Sequence, residues 1–203
     1  NGDAARWTVL GDPTEAALRV LAAKAEVDLD VAARQTPRLR EIPFDSRRKR
    51  MSTIHAGAGR ERIVYTKGAP KEVLAFCTRI MWQGQEQPMP DDTRQSIIAA
   101  NDAYARDGLR VLAVARRSLP TDLPSYTAET VEQDLTFLGL VAMMDPPRPE
   151  VADAVERCRH AGIRIIMVTG DYGLTAETIA RRIGIIRSAQ PRIVTGAELD
   201  ALD

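Results

Sequence analysis

PFDSRRKRMS, residues 43 to 52, is the stretch from which the rest of the chain is read. It opens on Phe44, one of 3 Phe, and runs through four consecutive cations, Arg47, Arg48, Lys49 and Arg50. Ile42 to Phe44 reads as a strand. From Met51 to Ala56 apolar and polar residues alternate, the period of a half-buried strand. Glu61 to Lys67 repeats the pattern across Gly57-Ala58-Gly59-Arg60, so the two runs predict a β-hairpin. An aromatic face beside clustered cations suits a purine base and its phosphates. The ring stacks on the base and the cations meet the negative charge. Read alone, the stretch is more often a basic surface turn with Phe44 in the core, because basic runs are usually solvated.

Composition narrows the class. At 203 residues the chain is long enough for one large domain or two small ones. With 44% hydrophobic and 28% charged residues it reads as globular with a proper core. Lys plus Arg and Asp plus Glu are both 28, so bulk attraction to nucleic acid or anionic membrane is excluded, and any basic action is local. Cys77 and Cys158 fit no metal spacing and read as buried free thiols in helix-like segments. The longest apolar run, Phe137 to Met144, is far short of the roughly 20 residues of a spanning helix. The chain begins at Asn1 without a signal peptide, which reads as a piece of something longer.

Before the basic stretch, Trp7, Val9 and Leu10 form a candidate strand. GDPTEAAL (11–18) then starts a helix: Asp12 caps, Pro13 suits the first helical position, and Glu15 stands where a capping box puts its carboxylate. Residues 28–40 read as a polar connection. After the hairpin comes Lys67-Gly68-Ala69-Pro70, where a strand hands over to a helix through Val73, Leu74 and Cys77. Gly68 there removes side-chain bulk, so a ligand could approach the backbone. Met81 to Pro90 shows turn residues and little periodicity. A helix from Asp91 or Asp92 stops at Gly108. In the strand Leu109 to Ala115 the one cation is Arg110, either at a wet end or aimed at an anion.

Near residue 140 the pattern changes. Leu135–Met143 and Ile163–Val168 are apolar runs that alternate with helical segments 149–161 and 175–183, which predicts a parallel βαβ unit. Ligands bind beyond the carboxyl ends of such strands. Asp145-Pro146-Pro147-Arg148 follows the first run and Thr169-Gly170-Asp171 the second. A hydroxyl, an open amide and a carboxylate together suit a phosphoryl group with Mg²⁺ nearby, although a polar turn looks the same. His55 and His160 stand alone, and no Ser-His-Asp set, metal cluster or Walker-type loop occurs.

GDPTEAAL, PFDSRRKRMS, KGAP (67–70), LRVLAVA (109–115), MMDPPR (143–148), and MVTGD (167–171) followed by TAETIARRIGI (175–185) occur in that order. This order closely resembles the cytoplasmic catalytic region of P-type cation-transporting ATPases, nearest the calcium- and sodium-pump-like branch. The resemblance covers nearly the whole chain. It implies an α+β fold: residues 1–140 as a nucleotide-binding domain, an antiparallel sheet with flanking helices. Residues 141–203 would be part of a phosphorylation domain of the α/β haloacid-dehalogenase-like type. It implies ATP and Mg²⁺ as ligands, with Phe44 stacked on adenine, Glu15 at its amino edge and Met51 beneath. Lys49, Lys67 and Gly68 would line the pocket. Arg110 would reach the phosphates, Asp145 and Arg148 would form the hinge, and Thr169, Gly170 and Asp171 would face the phosphoryl group.

The same resemblance places the parent protein at a membrane's cytoplasmic face. There it would couple ATP hydrolysis, through an aspartyl-phosphate, to cation transport. Its partners would be the actuator, phosphorylation and transmembrane parts of one pump, not nucleic acid. The family's phosphorylated D-K-T-G-T motif and its G-D-G-x-N-D motif are not within these residues. This portion would therefore bind ATP without hydrolysing it by that route. Tyr172 stands where relatives carry His or Asn.

Overall fold

The computed structural model describes residues 11–144 and 147–201, apart from 121, 122 and 124. The candidate strand at Trp7–Leu10 and the expected hinge position Asp145 lie outside the described residues.

Helix α1, Pro13–Lys24, starts as its sequence dictates: Asp12 Oδ1 accepts from the backbone of Thr14 at 2.8 Å and Glu15 at 3.0 Å. Asp28 does the same for a second helix, α2, Leu29–Gln35, in the stretch that reads as a polar connection. Strands β1 (Arg38–Asp45), β2 (Arg50–Ala56) and β3 (Arg62–Gly68) then form an antiparallel meander, with β2 and β3 joined by a turn over 57–61, one residue longer than the expected 57–60.

Helix α3, Pro70–Leu74, is short, and Cys77 opens strand β4 (Cys77–Trp82) instead of continuing the helix. A two-residue turn at Gln83-Gly84, with φ of 49° and 78°, returns the chain as β5, Gln85–Pro88. Positive φ at both turn positions is the hairpin geometry that Asn-Gly or Asp-Gly usually announces. Gln83 adopts it without that signature, so 81–90 did not read as a hairpin. Helix α4, Asp91–Arg106, strand β6, Arg110–Leu119, helix α5, Ala128–Val131, and strand β7, Leu135–Met143, complete the layer.

The seven strands form one sheet in the order β1-β2-β3-β6-β7-β4-β5, antiparallel except for the β4–β7 pair. The fold is α+β, an antiparallel sheet with flanking helices. One face of the sheet is core. Ile54, Val64, Ala115 and Phe137 lie there, under Val73 and Leu74 of α3 and Val131 of α5. Ser52 and Thr66 are buried on that same face and bond each other at 2.8 Å. The opposite face carries a row set by the pairing register, Met51↔Lys67↔Val114↔Gly139.

β7 departs from the parallel βαβ expectation. It pairs antiparallel with β6 from Thr136 to Met143, and its first residues pair with β4. Residues 163–168 form no strand, and Ile166 and Val168 are 73% and 91% exposed. A strand needs a neighbour to take its backbone N–H and C=O groups. Among the described residues none is offered there.

Helices α6 (Val151–His160), α7 (Gly173–Arg182) and α8 (Gly196–Asp200) do form. α7 docks on the end of α4, where the last carbonyls of a helix lack internal partners. Thr178 Oγ1 donates to Arg106 O at 3.1 Å, Arg182 to Asp107 O at 3.3 Å and Thr175 Oγ1 to Leu109 O at 2.9 Å. Among the described residues no helix is long and apolar enough to cross a membrane.

Candidate functional site

Phe44 is 61% exposed, so the reading of it as a core side chain fails. The pairing explains how. Ile42 opposes Ser52 and Asp45 opposes Arg50, so three steps along β1 match two along β2. The extra residue is a β-bulge at Pro43-Phe44, a device that re-aims a side chain away from the strand's alternation. Without it Phe44 would follow Ile42 onto the core face.

On the open face Lys67 Nζ is forked between both carboxylate oxygens of Glu15, at 2.5 and 2.6 Å. The bond ties the first turn of α1 to the middle of the sheet. Met51 lies directly opposite Lys67 on β2, and Gly139 closes the row with open space where a Cβ would be. Aromatic ring, thioether, ammonium and carboxylate are thereby mounted on rigid strands and one capped helix.

The four cations do not act as a set. Arg48 Nη1 binds both oxygens of Glu132 at 2.6 and 2.7 Å, and Arg50 Nε binds Glu132 at 2.7 Å. Arg50 also lies over the Phe76 ring, 4.0 Å from its centre. Lys49 pairs with Glu72 at 3.1 Å and keeps more than half of its side chain exposed. The loop itself is wound on Asp45, whose Oδ1 accepts from the amides of Arg47 at 2.9 Å and Arg48 at 2.8 Å. Those bonds, Arg48's first, hold the Asp45 carboxyl below its usual range.

Gly68 serves the protein before any ligand. A Cβ there would meet Lys49 O at 2.4 Å and the Arg50 Cα at 2.7 Å, so the glycine lets the β2 backbone approach. This differs from the expectation of space for a ligand on that side.

At the strand end, Arg110 Nη2 donates to Asp171 Oδ1 at 2.8 Å and Nη1 to Thr14 Oγ1 at 3.3 Å. Thr169 Oγ1 donates to Asp171 Oδ2 at 2.9 Å, and Gly170 has open space beside its backbone. Thr169-Gly170-Asp171 is thus brought to the residues of α1 and β6. Tyr172 accepts from Lys71 Nζ at 2.7 Å and donates to Asp102 at 2.9 Å, and its bond is the first cause that raises the Lys71 ammonium above its ordinary value. Arg148 is exposed, and its carbonyl accepts from Val151 at 3.1 Å.

Residues 1–150 match the family model described as P-type ATPase, cytoplasmic domain N. The chain belongs to the P-type ATPases. It is 39% identical over 193 residues to a calcium-transporting ATPase of Listeria monocytogenes, a match that covers 95% of this chain and 22% of that protein. It is 37% identical over 204 residues to a probable cation-transporting ATPase F of Mycobacterium tuberculosis, covering 98% of this chain and 22% of the relative. A sodium/potassium exporting P-type ATPase of Schizosaccharomyces pombe is 37% identical over 206 residues, with 97% and 20% covered. The chain spans about a fifth of the length of the curated relatives it matches.

Within this P-type ATPase domain, motif reading missed Glu132 and the Lys71–Asp102–Tyr172 cluster. Glu132 follows the apolar Val131 in a polar stretch, and its partners are 80 to 84 residues away. The one available signal was the pair of cations next to a strand, which need an anion once buried.

Proposed function

We propose that this chain is the ATP-binding cytoplasmic portion of a P-type cation pump. Its residues 1–140 would be the nucleotide-binding domain and 141–203 part of the phosphorylation domain. The observation that carries this reading is the exposure of Phe44 at a bulge of β1, on a sheet whose next two strands pair Met51 with a Lys67 bound to Glu15. A large aromatic ring held in water by a backbone irregularity has a use in stacking, not in folding. Adenine stacks on Phe44, Met51 packs beneath, and Glu15 accepts from the exocyclic amino group. Lys67 and Lys49 line the pocket, and Gly68 serves it by letting β2 close against β3. Arg110 exchanges Asp171 for the phosphates when a triphosphate enters, and Asp145 and Arg148 serve as the hinge.

Mg²⁺ enters with the triphosphate. Among the described residues no group of three or more acidic, His or Cys side chains gathers to hold a metal without the nucleotide. Thr169 and the Gly170 amide would face the phosphoryl group, and Asp171, once Arg110 has left it, would face the Mg²⁺ that the phosphates carry. The acceptor aspartate and the transmembrane cation sites belong to other parts of the pump. In that protein ATP hydrolysis drives the cation across the membrane, and this portion alone binds without turnover.

Calorimetric titration with ATP, GTP and UTP tests the reading. ATP should bind best, with a Kd of roughly 0.1–1 mM as for a single open pocket. Equal heats for all three would refute a base-reading pocket. Tight, strongly salt-dependent binding of DNA or RNA instead would move the function to nucleic acid.

A further inference from the structure

Among the described residues, Glu132 is the charged member of the largest fully buried side chains. Its side chain is fully buried on the covered face of the sheet, and no role in nucleotide chemistry can reach it there. It gathers four hydrogen bonds, two from Arg48, one from Arg50 and one from Ser52 Oγ at 2.8 Å. Arg48 lies in the turn between Phe44 and Met51, and Arg50 opens β2 at the end of that turn. A buried carboxylate with two guanidinium partners gains little over an apolar trio, so its retention points to a geometric task.

That task is visible in the bonds beyond Glu132. Arg48 Nη2 donates to Pro43 O at 2.8 Å, the peptide that leads into Phe44. Arg50 Nη1 donates to Arg48 O at 3.2 Å, and Ala69 N donates to Lys49 O at 2.9 Å. Lys49 is held at φ 51°, a conformation non-glycine residues rarely adopt. The bulge, the turn and the left-handed residue are therefore clamped from below on one carboxylate.

We infer that Glu132 is a positioning residue for the nucleotide site: through Arg48 and Arg50 it fixes the bulge that presents the Phe44 ring. The inference rests on the proposed ATP site, and it extends that site to a residue on the far side of the sheet. Glu132 sets where the ring stands and touches no part of the ligand.

The test is a double-mutant cycle. Glu132→Gln keeps the shape and removes the charge. Arg48→Lys, at a partly exposed position, reads the same link if the first variant does not fold. Either variant should weaken ATP binding about tenfold in the parent chain. In a Phe44→Ala background the loss should be less than about twofold, because the ring it acts through is gone. Amide exchange without nucleotide supplies the second readout. Residues 45–49 should exchange faster in the variants while Tyr65 and Val114 keep their protection. ATP affinity equal to the parent overturns the inference, as does an equal loss in both backgrounds. Should the parent itself fail to bind ATP, the ATP reading fails, and unchanged exchange at 45–49 separately removes the positioning role.

Discussion

Gly68→Ala offers the sharpest reading of how the basic loop is held to the sheet. The new Cβ would stand 2.4 Å from Lys49 O and 2.5 Å from the Arg50 Cβ. Ordinary contact begins near 3.4 Å, so β2 and β3 must part by about 1 Å at their Arg50↔Gly68 pair. The obstructing atoms include main chain and cannot rotate away. Overpacking of this kind costs about 1–3 kcal/mol. Loss of the adjoining bond from Ala69 N to Lys49 O adds about 0.5–1.5 kcal/mol. The sum, roughly 1.5–4.5 kcal/mol, lowers Tm by roughly 3–18 °C in a chain of this size. Urea unfolding followed by far-ultraviolet circular dichroism, with scanning calorimetry, measures both quantities. The variant should also bind ATP more weakly, because Lys49 and Phe44 move with the loop. Stability within about 0.5 kcal/mol of the parent would refute the close approach of the two strands.

Two further outcomes follow from the same geometry. Lys67→Met should leave stability within about 1 kcal/mol, as for other part-exposed ion pairs. It should weaken ATP binding about tenfold and flatten its salt dependence, read by titration at two ionic strengths. Burial pushes the Cys77 thiol up to about 12 from an ordinary 9.0. A raised native value means that its stabilisation is whole below pH 9.0 and is lost as pH climbs toward 12. The urea midpoint of the parent should therefore fall relative to Cys77→Ala across that window. At pH 8 a thiol reagent should label half-buried Cys158 well before Cys77.

Much of the sheet was legible because its strands alternate. The alternation of β2 and β3 announces a core face and a second face, while β6 and β7 read as strands from apolar runs, and the parallel pairing expected of β7 gives way to an antiparallel one with β6. α1 was legible through Asp12 and Pro13. The hairpin β4–β5 was not, since Gln83 takes the left-handed turn position without the usual Asn or Asp, and Cys77 looks like the end of a helix. The apolar run at 163–168 shows the opposite limit. Its composition is that of a buried strand, but composition cannot supply a partner edge. The site divides in the same way. Motif order singled out Phe44, Lys67 and Glu15; the fold exposes Phe44 at a bulge and joins Lys67 to Glu15. The inward turn of Arg48 and Arg50 was hidden, because a run of cations in sequence does not say which side chains face a carboxylate 82 residues away.

Calorimetric titration of ATP into the parent chain and into Phe44→Ala tests the central claim most directly. The ring is 61% exposed, so its loss should leave the unfolding midpoint unchanged. Stacking of a base on an aromatic ring is worth about 1–3 kcal/mol, so affinity should fall between about fivefold and a hundredfold, with adenine preference lost. Identical affinity in the two proteins would contradict the claim that Phe44 is turned outward to hold a purine.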